Sequence, residues 1–399
     1  MLEWLRSHDI DALVTSGWQP TPFHEFVLKI HSRCDLSCHY CYMYKMVDQG
    51  WRLQPKRMSQ TTVEQISHCI AEHVRTHSLN SVKLILHGGE PLLAGPDFIR
   101  HAITTIRAEL DPGVYAALSI QTNAVLLDAA YLKLFDELGV RVGVSLDGDA
   151  SAHDRHRRRA NGDGSHAAVV RGLEQLTSAP FRHLFGGLLC TIDPRNAPVS
   201  TYEALLSFGP PNIDFLLPHG NWSAPPPGRV ARSSETPYGD WLAAVFDRWY
   251  QAPRQQTRVR LFSEIMNLLM GRPSATEEIG LSPVGVVVVE TDGSIEQADS
   301  LKSAYEKAAR TGLHVSRDSF DTALLLPSMV ARQIGEQALS ARCRSCQIRQ
   351  VCGGGLYAHR YRKENGFDNP SVYCPDLMRL IDHIRRAVEA DVADLRRLR

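Results

Sequence analysis

Nowhere in the 399 residues is there a run approaching the ~20 consecutive apolar side chains that a helix needs to cross a bilayer. The opening MLEWLRSHDI breaks its apolar residues with charges and lacks the continuous apolar stretch of a secretory signal. Net charge is missing as well. The 44 Lys and Arg balance 44 Asp and Glu, which excludes a protein that holds nucleic acid by bulk phosphate neutralisation. The one basic run, Arg155 to Arg159, suits at most a local anionic group. Repeats of solenoid length are absent. These absences point to a cytoplasmic chain with no membrane or nucleic-acid partner, and in that compartment clustered cysteines bind metal or do chemistry. At ~150 residues per domain the length allows two to three domains, with a core that needs no staple.

What is present is cysteine. There are nine, an odd number that suggests no disulfide framework. Cys69 and Cys190 stand alone in apolar patterns and read as small buried hydrophobes. The other seven form two groups. Cys34, Cys38 and Cys41 have C-x3-C-x2-C spacing directly after the first expected strand. Three thiolates on one loop hold three irons of a [4Fe–4S] cubane and leave the fourth open, as a catalytic metal site keeps an open position. The spacing by itself also suits zinc. Its place at the C-terminal end of a strand, where barrel enzymes build their sites, favours chemistry. Cys343, Cys346, Cys352 and Cys374 supply four thiolates, enough to close a cluster completely or to hold structural zinc.

Between the two groups the pattern alternates. Apolar runs at 26–31, 82–87, 116–121, 140–145, 183–191 and 213–217 read as strands buried on both faces of a parallel sheet. Helical patterns lie between them, at 61–77, 96–110, 127–138, 165–177 and 199–207, the first opening on Thr61 and Glu64 in capping-box spacing. Six strands alternating with helices predict an α/β fold, an incomplete parallel (β/α)6 barrel rather than a full eight-stranded one. The Pro- and Ser-rich stretch 223–239 reads as a linker or loop. Helical pattern then covers 240–270, a hairpin turns at Asp292-Gly293, and the tail from Pro375 spaces its apolar residues along one helix face.

The first cysteine loop, with Tyr40 before its last cysteine, resembles the signature of the radical SAM superfamily. The resemblance implies S-adenosylmethionine (SAM) as a cofactor, cleaved by a reduced [4Fe–4S] cluster to a 5′-deoxyadenosyl radical. It also implies roles for the ends of the next strands. His87-Gly88-Gly89-Glu90-Pro91 closes strand two, with glycines that admit the methionine moiety and a Glu90 that accepts from its ammonium group. Thr122 and Asn123 close strand three, and Ser145 and Asp147 close strand four. Arg157, twelve residues past Ser145, pairs with that serine on the SAM carboxylate in related maturases.

The second group resembles the second auxiliary [4Fe–4S] cluster of SPASM domains. The cysteines of a first auxiliary cluster are missing: Gly353-Gly-Gly355 and VVVVETDGSIEQADS stand in their places. Two clusters in all are therefore expected. Glu290, Asp292, Glu296 and Asp299 occupy the vacated region. One of them can serve as a base near the substrate, although Asp292 is equally a turn residue and the others equally solvated charges. His87 and Tyr42 flank the SAM motifs as candidate substrate contacts, and packing roles suit them as well. The blocks IDFLLPHG, VETDGSIEQADSLK and CGGGLYAHRYR extend the likeness to the FxsB family of radical SAM/SPASM maturases, from about residue 24 to 375. The organisation this implies is an extension (1–23), a radical SAM barrel (24–222), a linker or loop (223–239), an auxiliary-cluster domain (240–374) and a C-terminal helix (375–399). The implied activity is modification of a ribosomally made precursor peptide, most concretely a cyclophane bond between an aromatic ring and the Cβ of a nearby residue, with a flavodoxin or ferredoxin as reductant. Thioether formation, epimerisation, sulfatase-type oxidation and a non-enzymatic electron carrier are the alternatives. The ~25 residues before strand one are too few for a leader-binding domain, so the precursor is expected at the barrel opening or on a strand edge.

Overall fold

The computed structural model describes residues 10–230 and 233–397. The first nine residues of the expected extension, two residues of the expected linker and the last two of the tail lie outside the described residues.

Strands β1 (Glu25–His31), β2 (Ser81–Gly88), β3 (Tyr115–Thr122), β4 (Val140–Ser145), β5 (Phe185–Thr191) and β6 (Asn212–Leu216) match the six expected runs. They pair in parallel in sequence order, with helices in the connections. The sheet is wider than expected. A two-residue β7 (Arg258–Val259) pairs parallel beyond β6. On the other edge β8 (Val286–Val289) pairs parallel with β1, followed by antiparallel β9 (Ser294–Glu296) and β10 (Arg310–His314). The hairpin at Asp292-Gly293 is thus an extension of the barrel sheet.

The strands are not equally buried on both faces. In β2, Val82, Leu84 and Leu86 are buried while Ser81, Lys83, Ile85 and His87 are less so. β3 and β4 show the same alternation, and His87, Gln121 and Ser145, all on the less buried face, line one cavity. The barrel is incomplete, so its concave face is left open as a site while the convex face packs on the helices.

Two helix limits differ from expectation. The helix after β1 runs Gln60–Thr76, and its cap is Ser59, whose Oγ accepts the Thr62 N–H at 3.0 Å. A serine two residues upstream of Thr61 takes the free amide first. The 240–270 stretch splits into helices Pro237–Tyr250 and Arg260–Leu269. Pro253 lies in the break, where it has no N–H to give a continuing helix. The C-terminal helix, Cys374–Arg397, packs against Pro237–Tyr250, and its Asp376 accepts the first free amides of that helix, from Tyr238 and Gly239, at 2.9 and 3.0 Å. Among the described residues no helix is long and apolar enough to cross a membrane.

Candidate active site

The loop that follows β1 carries Cys34, Cys38 and Cys41 to the mouth of the barrel. The three thiols share a cavity of about 190 Å³ with Tyr40, Tyr42, His87, Gly88, Gly89, Glu90, Thr122, Asn123, Ser145 and Arg157. The loop is clasped by the segment after the short helix Ala150–His156: the Ser37 and His39 amides donate to the Arg158 and His156 carbonyls at 2.6 and 3.1 Å. The backbone of the basic run is therefore a clamp on the cysteine loop.

Burial raises the pKa of all three thiols, and for Cys34 and Cys38 neighbouring acidic or thiol charge adds to it. Thiolates in such a place require a cation among them, which fits a cluster on three cysteines.

Gly88 and Gly89 line the cavity, but their smallness is demanded by the protein itself. A Cβ on Gly88 would lie 2.1 Å from the His31 carbonyl oxygen, and one on Gly89 2.4 Å from that of Arg33. This closeness lets the Gly89 and Glu90 amides donate to those two carbonyls at 2.8 and 2.9 Å, fastening the end of β2 to the entry of the cysteine loop. Glu90, expected to accept from the SAM ammonium group, also meets donors of the protein itself. One carboxylate oxygen accepts the Leu92 amide (3.0 Å) and the Thr122 hydroxyl (2.7 Å), the other the Asn123 amide (2.8 Å). The side chain is 1% exposed, and burial raises its pKa to about 7. Glu90 thus ties β2 to β3. Asn123 in turn donates to Asp35 at 2.7 Å and holds the cysteine loop from that side. Pro91 is buried and starts the 3-10 turn Pro91–Ala94 outside the cavity.

Asp147 also lies behind the cavity wall rather than in it. It accepts from the Tyr40 hydroxyl and from the Thr191 amide at 3.0 Å, and Tyr40 accepts from Arg157 Nη1 at 2.9 Å. Ser145 accepts from Gln121 at 3.0 Å. Arg157 lines the cavity with its Nε buried and unpartnered, so the guanidinium keeps a donor for an anionic group.

His153 supports this group from below. Its Nδ1 accepts the Asp147 amide at 3.3 Å and its Nε2 lies 2.9 Å from the Ser165 hydroxyl. Burial, with the Arg157 and His166 charges, lowers its pKa from 6.5 to about 2. The imidazole is neutral when folded and takes a proton when unfolded, so the stability it contributes above pH 6.5 is lost as pH falls. Relative to His153→Gln, the wild-type chain is expected to lose about 2 kcal/mol between about pH 6.5 and 5. Urea titrations of both at the two pH values check this.

The candidate carboxylates separate clearly. Asp292 is a turn residue, accepting from Ser294 at 2.9 Å and Gln54 at 3.1 Å. Glu290 is committed to two ammonium groups, Lys29 at 2.8 Å and Lys302 at 2.7 Å, which hold its pKa well below the usual range despite burial. Lys302 also bonds Glu296 at 2.5 Å, and Lys29 bonds Asp299 at 3.0 Å. The two ammonium groups offset most of the charge of the three carboxylates. Asp299 exerts the largest charge effect on Tyr42 and His87, two residues that line the cavity. Motif reading missed Lys29 and Lys302, which look like ordinary charges in sequence. It quoted His219 within IDFLLPHG without giving it a role. His219 follows β6 and lines the cavity, 4.6 Å from the Tyr42 ring. The Nδ1 atoms of His87 and His219 are buried without a partner.

A second cavity, of about 230 Å³, is lined by Cys343, Cys346, Cys352 and Cys374. Burial pushes Cys352 up to about 12, with the nearby Cys374 and Cys343 adding to it. Four thiols that share one cavity fit a metal cluster. Cys69 and Cys190 are 6% and 1% exposed and line neither cavity.

A model of the radical SAM superfamily matches residues 28–194. A serine-type anaerobic sulfatase-maturating enzyme of Klebsiella aerogenes is 26% identical over 351 residues, covering 85% of this chain and 81% of its own. A cysteine-type anaerobic sulfatase-maturating enzyme of Clostridium novyi is 23% identical over 354 residues, covering 86% and 90%. The solved structure of native anSMEcpe with bound AdoMet superposes with a TM-score of 0.78 at 20% identity, covering 93% of this chain and 99% of that one. Streptococcus suis SuiB bound to precursor peptide SuiA gives 0.57 at 13% identity, covering 90% and 77%. The structural likenesses establish the fold. With the family match over residues 28–194 and three thiols grouped at the mouth of the barrel, the chain carries a radical SAM domain and is an enzyme that uses S-adenosylmethionine and a [4Fe–4S] cluster.

Proposed function

We propose that this enzyme oxidises a Cβ position of a residue in a ribosomally made precursor peptide, joining that carbon to a nearby aromatic ring. The observation that carries the reading is the single cavity in which the cysteine loop and the ends of β2, β3 and β4 meet the imidazoles of His87 and His219. When bound, the reduced cluster and SAM supply a deoxyadenosyl radical, able to take hydrogen from an unactivated C–H bond. Cys34, Cys38 and Cys41 hold the cluster, and Arg157 with Ser145 receives the SAM carboxylate. Tyr40, Asp147, Glu90 and Asn123 position the elements that carry these groups. His87, His219 and Tyr42 face the peptide side chain and keep water from the reacting carbon. Asp299, anchored by Lys29, accepts the proton released when the ring regains aromaticity. The four distal cysteines hold an auxiliary cluster, and a flavodoxin or ferredoxin supplies electrons. Peptide substrates are supported by relatives that mature sulfatases and by the fold shared with SuiB, solved with a precursor peptide. Cα epimerisation is disfavoured because Cys190, its one isolated thiol donor near the barrel, is 1% exposed.

Sulfatase-type oxidation of a serine or cysteine to formylglycine is the second reading, favoured by relatives of that activity matching over 85% of the chain. Mass spectrometry of the short peptide encoded beside this gene, after anaerobic co-expression, separates the two. A crosslink is expected to remove two hydrogens, block fragmentation between an aromatic residue and a neighbour, and leave the product inert to hydrazides. An aldehyde that reacts with a hydrazide and fragments normally overturns the crosslink in favour of formylglycine. Unchanged mass with deuterium gained from solvent overturns both.

A further inference from the structure

A series of rings joins the two cysteine sites. Tyr42 follows Cys41 directly and lines the active-site cavity. Its ring centroid is 4.6 Å from that of His219, which is 5.7 Å from His359, which is 5.0 Å from Tyr373. The next residue after Tyr373 is Cys374, a wall of the four-cysteine cavity. His359 and Tyr373 are 3% and 0% exposed. The series is held in register at two points. The Tyr373 hydroxyl donates to the carbonyl of Pro218, next to His219, at 2.6 Å, and the Val372 amide donates to the His359 carbonyl at 2.9 Å. One nitrogen of each imidazole, His219 Nδ1 and His359 Nε2, is buried and unpartnered.

We propose that Tyr42, His219, His359 and Tyr373 form the electron path between the active-site cavity and the four-cysteine site. The inference rests on the reading above that the four thiols hold an iron–sulfur cluster and that the substrate is oxidised. A peptide carbon that has lost a hydrogen atom and bonded to an aromatic ring still carries one electron and one proton more than the product. The electron leaves through the rings to an oxidised [4Fe–4S] cluster, which is reduced by one electron. The proton leaves to the Asp299 carboxylate. Packed rings suit this task because electron transfer weakens steeply across gaps and less steeply through π-systems in contact.

The test needs no peptide. Enzyme reconstituted with iron and sulfide is reduced, freed of excess reductant and mixed with SAM. Cleavage at the first site uses one electron, and the path then returns the auxiliary electron for a second cleavage. Freeze-quench EPR follows the auxiliary signal, beside 5′-deoxyadenosine and iron content. In wild type the auxiliary signal is expected to decay as a second equivalent of 5′-deoxyadenosine forms. His359→Leu is expected to form the first equivalent at the wild-type rate and to slow the signal decay by an order of magnitude or more. His359→Phe, which keeps a ring, stays near wild type. His219→Leu cuts the path at its other end and is expected to slow the decay relative to its own rate of forming the first equivalent, which decides the matter should His359→Leu lose iron. Decay at the wild-type rate in an iron-replete leucine variant overturns the inference. So does equally slow decay in the phenylalanine variant, or a signal that persists in wild type. A wild-type iron content of about four per chain instead of about eight overturns the cluster reading itself.

Discussion

Lys29→Met is expected to destabilise the metal-free chain by about 3–5 kcal/mol, the cost of leaving buried charges unpaired. Lys29 lies on β1 at 0% exposure, with its ammonium 2.8 Å from Glu290 and 3.0 Å from Asp299. Together with Lys302 and Glu296 these side chains form a buried group of two cations and three carboxylates. The group is held near neutrality only because burial raises the Glu296 pKa to about 7, so that it shares a proton. Without Lys29 one ammonium faces three carboxylates, two of them, Glu290 and Glu296, almost wholly buried. Glu290, now ionised against the pull of burial, would lose its hydrogen bond from β1. Urea unfolding of both proteins at one pH measures the loss. A Lys29→Met chain within about 1 kcal/mol of wild type would show that the ion group relaxes or hydrates, against the buried geometry. A Lys29→Met/Glu290→Met chain should recover part of the loss, because removing both partners leaves a smaller charge imbalance than removing one.

Replacing Cys34, Cys38 and Cys41 together by Ala is expected to reduce SAM cleavage below detection and to remove about half of the bound iron. Replacing Cys343 and Cys346 by Ala should remove the other half and leave SAM cleavage without peptide largely intact, while abolishing peptide product. The reason is spatial separation: the two thiol sets line different cavities with no residue in common. Iron and zinc content, with 5′-deoxyadenosine assayed anaerobically, checks both. One zinc per chain bound by the four distal cysteines would make that site structural. Equal loss of SAM cleavage in both variants would show that the two sites do not act independently.

Much of the barrel was legible because its signals are local. The apolar runs gave β1 to β6 to within two residues, and the cysteine spacing marked both cavities. The burial of Cys69 and Cys190 followed from their apolar neighbours. The errors came where a local rule met a competing neighbour. Ser59 reached the free amide before Thr61, and Pro253 stopped a helix whose apolar pattern continued. The run from Arg155 to Arg159 was read for its side-chain charge alone, because the backbone carbonyls that clasp the cysteine loop leave no trace in side-chain pattern. Gly88, Gly89 and Glu90 were singled out as site residues, and all three line the active-site cavity. The resemblance tied them to the cofactor, whereas in the fold they first meet the backbone of β1 and β3.

The sequence by itself determined where the metal-binding thiols gather. Three thiols on one loop after a strand, and four more in a closed set, are properties of spacing, and spacing is local. Only the tertiary structure decided which charges are neutralised in pairs and which are free to act. Lys29 meets Glu290 across a separation of 261 residues, and His359 stands between His219 and Tyr373. Such contacts depend on how β8 docks beside β1 and how the C-terminal segment folds back under β6. Burial then sets the protonation of each group, because desolvation acts on a charge only after the whole chain has closed around it.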